Sequence, residues 1–188
     1  MKNELLKLQE QVNNCKKCEL WKGRKNAVFG EGPEDAKIML IGLGPGYNED
    51  QQGRPFVGAA GKLLSKLLSY AGLKRDEVYI ANIIKSYLPD NKATKDQISA
   101  CTPYLERQIE LIKPKIIILL GNVAVKYIFE KYQLQKSPMR DIHTKPFSLS
   151  SLFMKAKLIP MYHPAAALRN PGLRGTIEED WKKLKTIL

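Results

Sequence analysis

Apolar residues recur along this chain in two rhythms. Leu5, Leu8 and Val12 stand three and four positions apart, the stripe of an amphipathic helix. Later runs are short and unbroken: residues 37–41, 78–84, 116–120 and 157–161 have the length and apolar content of buried strands. Helical periods lie around them, over 61–71 with Leu63, Leu64, Leu67 and Leu68 on one face, over about 95–111, over 124–132 and over about 178–187. Residues 30–33 and 91–94 predict loops, and 133–151 carries no clear period and reads as irregular. Strands alternating with helices predict an α/β fold, a mostly parallel sheet with helices on both faces. No repeat, low-complexity segment or linker interrupts the pattern, so residues 1–188 read as a single domain.

Polar residues and glycines break this pattern at the ends of the strands. The first strand runs into Gly42-Leu43-Gly44-Pro45-Gly46, then Glu49-Asp50, then Gly53-Arg54-Pro55-Phe56-Val57-Gly58. Asn82 lies in the second strand, Gly121-Asn122 follow the third and His163 follows the fourth. In a parallel sheet these ends lie side by side, where open α/β sheets bind ligands. Such a cleft offers bare backbone amides, carboxylates, one aromatic face, an amide and an imidazole to a flat polar ligand. Plainer readings stand beside this one. Phe56 also reads as core, Asn82 as a turn cap and His163 as a structural histidine. Of Glu49 and Asp50, at least one reads as a solvated loop acid. His143, in the irregular segment, is assigned nothing.

Composition narrows the partner. The 188 residues carry a formal charge of +12, with basic residues scattered along the whole chain. A folded basic domain attracts polyanions, nucleic acid foremost; the competing reading is a lysine- and glutamate-rich, heat-tolerant surface. No segment approaches the ~18 apolar residues of a membrane span, and the polar start is unlike a signal peptide. The chain therefore reads as intracellular, where cysteines serve as ligands or nucleophiles rather than in disulfides. The Gly-Lys-Ser/Thr signature of P-loop enzymes and the dinucleotide fingerprint are both absent, which argues against a different nucleotide-cleft enzyme.

Together, Cys15-x-x-Cys18, the 42–61 glycine-rich stretch, Asn82 at a strand end, Cys101-x-Pro103-Tyr104-Leu105 and His163-Pro164-Ala165-Ala166-Ala167-Leu168 carry a resemblance over nearly the whole chain. It resembles the type-4, iron–sulfur uracil-DNA glycosylases. The resemblance implies a three-layer α/β/α fold with a central four-stranded parallel sheet. It implies removal of uracil from single- or double-stranded DNA by cutting the N-glycosidic bond, leaving an abasic site, by a monomer in a prokaryotic cytoplasm. Phe56 would stack on the extruded uracil, Asn82 would bond its polar edge, and Leu43, Gly44 and Pro45 would present backbone to it. Glu49 stands where the family places a base-contacting acid, and His163 would stabilise the departing uracil. The 164–173 stretch would be a loop probing the minor groove, with Leu168 or Arg169 as its wedge.

The chemistry is coherent on physical grounds. A base in a duplex must be flipped out to be reached. An aromatic face holds any base, so choice falls to hydrogen bonds. An asparagine amide offers a donor and an acceptor together, matching uracil O4 and N3–H, whereas cytosine reverses that pattern. A donor aimed at O2 stabilises the anion as it leaves.

Two departures from the family stand out. Cys15, Cys18 and Cys101 match three of its four cysteine ligands to a [4Fe–4S] cluster, but Ser86 holds the fourth place. Serine oxygen is a harder ligand for iron. Ser86 or water completing a [4Fe–4S] cluster, a [3Fe–4S] cluster and no cluster all remain open; zinc lacks a complete ligand set. Leu43 stands where type-4 members carry an acid and resembles the type-5 glycosylases instead, so a water-orienting side chain is lost. The alternative function is a non-catalytic uracil- or damaged-DNA-binding homologue of the same fold.

Overall fold

The computed structural model describes residues 2–150 and 155–188. The helices are α1 (Lys2–Asn13), α2 (Tyr47–Gln52), α3 (Ala59–Tyr70), α4 (Lys95–Ile112), α5 (Asn122–Lys131), α6 (Met139–Ile142), α7 (Pro164–Arg169) and α8 (Arg174–Ile187). The strands are β1 (Ile38–Gly42), β2 (Tyr79–Asn82), β3 (Ile116–Leu120), β4 (Phe147–Ser150) and β5 (Lys155–Met161). They form one sheet in the order β2-β1-β3-β5-β4. The first four in that order are parallel, and β4 runs antiparallel along β5.

β1, β3 and the Leu158–Met161 end of β5 are apolar on both faces because both are covered. Met39, Ile41, Ile117, Leu119 and Leu158 pack with Leu5, Leu8 and Val12 of α1 and with α4 and α5. The alternate positions Leu40, Ile118, Leu120, Ile159 and Met161 pack with Leu64, Leu67 and Leu68 of α3 and with Ile177, Trp181 and Leu184 of α8. The three predicted layers are therefore present. Local signals set the helix ends: the Thr94 hydroxyl accepts from Gln97 N (3.2 Å), and the Gln97 side chain accepts in return from Thr94 N (2.9 Å), a capping box at the start of α4.

Two expectations change. The sheet has five strands rather than four, because β4 and the one-turn α6 occupy part of the segment expected to be irregular. Its last residue, Ser151, lies outside the described residues. β4 alternates, with Ser148 and Ser150 exposed and Leu149 buried, and is too short to stand out as a period. It pairs with β5 only as far as Leu158, so Pro160 sits beyond that ladder, where its missing N–H removes no bond to β4. The stretch expected to be a loop after His163 is helical instead: α7 leads through a 3₁₀ turn, Pro171–Leu173, directly into α8.

Candidate active site

The parallel register pairs Gly42, the last residue of β1, with Asn82, the last of β2. Gly42 has no room for a side chain: a Cβ there would lie 2.5 Å from Asn82 Oδ1 and 2.8 Å from the Phe56 ring edge. The amide and the aromatic ring thus meet over one bare α-carbon. Asn82 is 2% exposed, and its Oδ1 has no hydrogen-bond partner among the described residues. A buried, unpartnered carbonyl oxygen is costly, and a ligand N–H is one group that would satisfy it.

Phe56 stacks against His163, with ring centroids 5.5 Å apart and planes at 29°. Gly121, closing β3 at φ +88°, presses on His163; a Cβ there would lie 3.0 Å from the histidine Cβ. His163 is the N-cap of α7, and its Nδ1 accepts from Ala165 N at 3.1 Å. With Nδ1 as acceptor, the proton of the neutral ring is on Nε2. Burial pushes the His163 pKa down to about 4, and the Arg169 charge pushes the same way against an opposing pull from Glu49. The ring is therefore neutral near pH 7, with Nε2–H as its one donor. His163 borders a cleft of about 490 Å³ together with Leu43, Gly44, Gly121, Leu168 and Arg169. Leu168 is 51% exposed on α7.

The remaining sequence candidates have structural partners. Gly44 packs against Leu88 and Ile84, and the Pro45 carbonyl accepts from Leu88 N at 3.0 Å. Glu49 Oε1 accepts from Val57 N and Gly58 N, both at 2.8 Å, and its Oε2 accepts from Gly46 N at 3.2 Å. Its carboxylate ties the glycine-rich loop to the start of α3. Asp50 is not a solvated loop acid: it is 3% exposed and accepts from Lys25 N (2.8 Å) and Asn26 N (3.2 Å). Neither acid of the pair is free in solvent, because the backbone of two neighbouring segments needs its amides capped.

Sequence reasoning missed Lys85. Its ammonium is fully enclosed and donates to the carbonyls of Asn82 (2.8 Å) and Phe29 (3.1 Å) and to Gln108 Oε1 (2.6 Å). Burial lowers its pKa to about 7, opposed by the neighbouring Cys101. An apolar run ending in lysine gave no sign of this, since two of the three partners, the Phe29 carbonyl and Gln108, lie far along the chain.

Beyond Lys85, Cys15, Cys18, Cys101 and Ser86 line a common pocket with Arg24 and Tyr104. Burial raises the Cys101 pKa against a hydrogen bond from the Lys85 backbone, and the nearby Cys18 and Cys15 push it the same way as burial. The Ser86 hydroxyl accepts from Arg24 Nη1 at 3.0 Å, while Nη2 donates to the carbonyls of Asn13 (2.6 Å) and Val12 (3.3 Å) at the end of α1. Among the described residues, no three His, Cys, Asp or Glu side chains close on one point as around a single ion. The donor set is two thiols of one turn, a third from α4 and a hydroxyl engaged by a guanidinium.

Comparison with known proteins agrees with this geometry. The model of the uracil DNA glycosylase superfamily matches residues 29–185. The chain is 48% identical over 187 residues to a type-4 uracil-DNA glycosylase of Sulfurisphaera tokodaii, spanning 98% of this chain and 85% of that protein. It is 37% identical over 191 residues to the type-4 enzyme of Thermotoga maritima, spanning 100% and 96%. A type-5 uracil-DNA glycosylase of Thermus thermophilus is 30% identical over 152 residues, spanning 65% and 69%. No helix among the described residues is long and apolar enough to cross a membrane.

Proposed function

Because the chain belongs to the uracil-DNA glycosylase superfamily and matches type-4 members nearly end to end, we infer that Phe56, Asn82 and His163 hold the uracil it excises from DNA. The observation that supports this most is the buried, unpartnered Asn82 Oδ1 beside the Phe56 ring. The flipped base rests on the Phe56 face. Asn82 Oδ1 accepts from uracil N3–H and its Nδ2 donates to O4, a pairing cytosine cannot make. As the C1′–N1 bond breaks, its electron pair passes into the uracil ring, and His163 Nε2–H donates to O2 as negative charge gathers there. Water adds to C1′ and releases a proton. With Leu43 in the loop and the Glu49 carboxylate engaged by three backbone amides, leaving-group stabilisation carries most of the rate. Leu168 and Arg169 face the DNA, the first as an apolar wedge and the second toward phosphate.

Cys15, Cys18 and Cys101 suit three corners of an iron–sulfur cluster. Ser86, already bonded to Arg24, does not suit the fourth. When bound, the cluster would cross-link α4 to the segment after α1, and no step of the excision passes through it. The protein acts as a cytoplasmic monomer of one domain.

The test is a single-uracil oligonucleotide, single- and double-stranded, treated with the purified protein and then alkali. Strand breakage at the uracil is expected, and His163→Ala should lose about a hundredfold or more of it while still binding the DNA. Intact oligonucleotide with retained binding would make the protein a non-catalytic uracil-DNA binder instead.

A further inference from the structure

Phe56 has φ +49°, in the left-handed region that a bulky residue rarely adopts. Two charged side chains grip the backbone on either side of it. Arg75, just ahead of β2, donates from Nη1 to the Phe56 carbonyl (3.0 Å) and from Nη2 to the Pro55 carbonyl (2.5 Å). Glu49 takes the amides of Val57 and Gly58, as described above. Gly61 closes the third side, for a Cβ there would fall 1.9 Å from the Phe56 carbonyl oxygen. Arg75 is itself held, its Nε lying 3.4 Å from Glu31 Oε1. Glu31 in turn pairs its backbone with Ile80 of β2 in both directions (2.9 and 2.7 Å). The chain of contacts runs from Phe56 through Arg75 and Glu31 to the strand that ends in Asn82.

We propose that Arg75 is a positioning residue for base excision: its fork holds Phe56 in a strained conformation and sets the ring in register with the Asn82 amide. This rests on the uracil-holding role given above to Phe56 and Asn82. A guanidinium suits the task because it spans two carbonyls while keeping a third N–H for Glu31; a lysine ammonium lacks that planar fork. Released from Arg75, the 55–58 turn can relax toward ordinary φ and carry the ring away from the base, and small misplacements of this kind lower turnover steeply.

The experiment compares wild type, Arg75→Met and Arg75→Lys on a single-stranded uracil oligonucleotide, with free uracil as the competitive probe. For Arg75→Met we expect kcat to fall about tenfold or more and the inhibition constant of free uracil to rise about tenfold. Affinity for a uracil-free oligonucleotide should stay within about twofold. Arg75→Lys should fall between, and it supplies the measurement if Arg75→Met does not fold. Simple loss of stability lowers the folded fraction but leaves the inhibition constant of the folded enzyme unmoved. In a Phe56→Ala background, Arg75→Met should change kcat by less than about twofold, since the ring it positions is gone. A wild-type inhibition constant in both Arg75 variants, or an undiminished effect in the Phe56→Ala background, overturns the proposal. If the wild type leaves uracil DNA intact, the functional reading itself falls, an outcome separate from these.

Discussion

Two clusters of polar side chains lie on either side of Lys85, and they are built very differently. In the base pocket the parts touch one another. Gly42 leaves room for Asn82 and Phe56 together, Phe56 stacks on His163, and Gly121 backs His163. Any one of them is shaped by the rest. In the thiol pocket Cys15 and Cys18 come from one short segment after α1, Cys101 from α4 and Ser86 from the segment after β2, and they line one common space. Ser86 stands where the type-4 resemblance implies a fourth cysteine, and its hydroxyl has a partner in Arg24. Interlocked sites resist single substitutions, because each change leaves a neighbour clashing or unpaired. Sites whose members meet only through a shared guest can lose a member and remain folded.

This contrast is broken most directly at Gly42. Gly42→Ala should lower kcat/KM for a uracil oligonucleotide about a hundredfold, since its Cβ must displace either the Asn82 amide or the Phe56 ring. Activity within about fivefold of wild type would show the base pocket to be no more interlocked than the other.

A smaller effect lies in pH. Burial of His163 lowers its folded pKa to about 4, against about 6.5 unfolded. The unfolded chain therefore binds the extra proton first. The contribution of His163 to stability is full above about pH 6.5 and is lost as the pH falls toward 4, an effect of about 3 kcal/mol. His163→Gln should flatten that part of the stability curve in urea titrations between pH 7 and pH 4. An unchanged slope would mean that the imidazole is not enclosed as described.

The smallest effect on catalysis belongs to Ser86. Ser86→Cys should raise bound iron by about one atom per chain and strengthen visible absorbance, with kcat changed by less than about twofold, because no bond in the excision passes through that pocket. Iron content that stays at zero in both proteins would remove the cluster assignment.

Much of this architecture was legible in the sequence. Apolar runs locate β1, β3 and the Leu158–Met161 end of β5, because strand stretches covered on both faces have no polar positions to interrupt them. The cleft residues were legible because glycine, asparagine and histidine at strand ends violate that pattern. Other features have no local signature. β4 is short and half exposed. α2 and α7 are single turns or little more, set by Gly46 and by the His163 cap rather than by a period. Asp50 stands in a loop by sequence, and Lys85 and Arg75 carry no local signal, yet each is directed at backbone groups from distant segments, which only the folded chain brings near. Arg75 meets its carbonyls across a separation of 19 and 20 residues.

Glu31 has one more consequence. β2 is an outer strand of the sheet, and an open strand border invites another molecule to zip onto it. Glu31 occupies both the N–H and the C=O of Ile80 on that border. The same short segment that steadies the arginine therefore also blunts a nucleus for intermolecular aggregation.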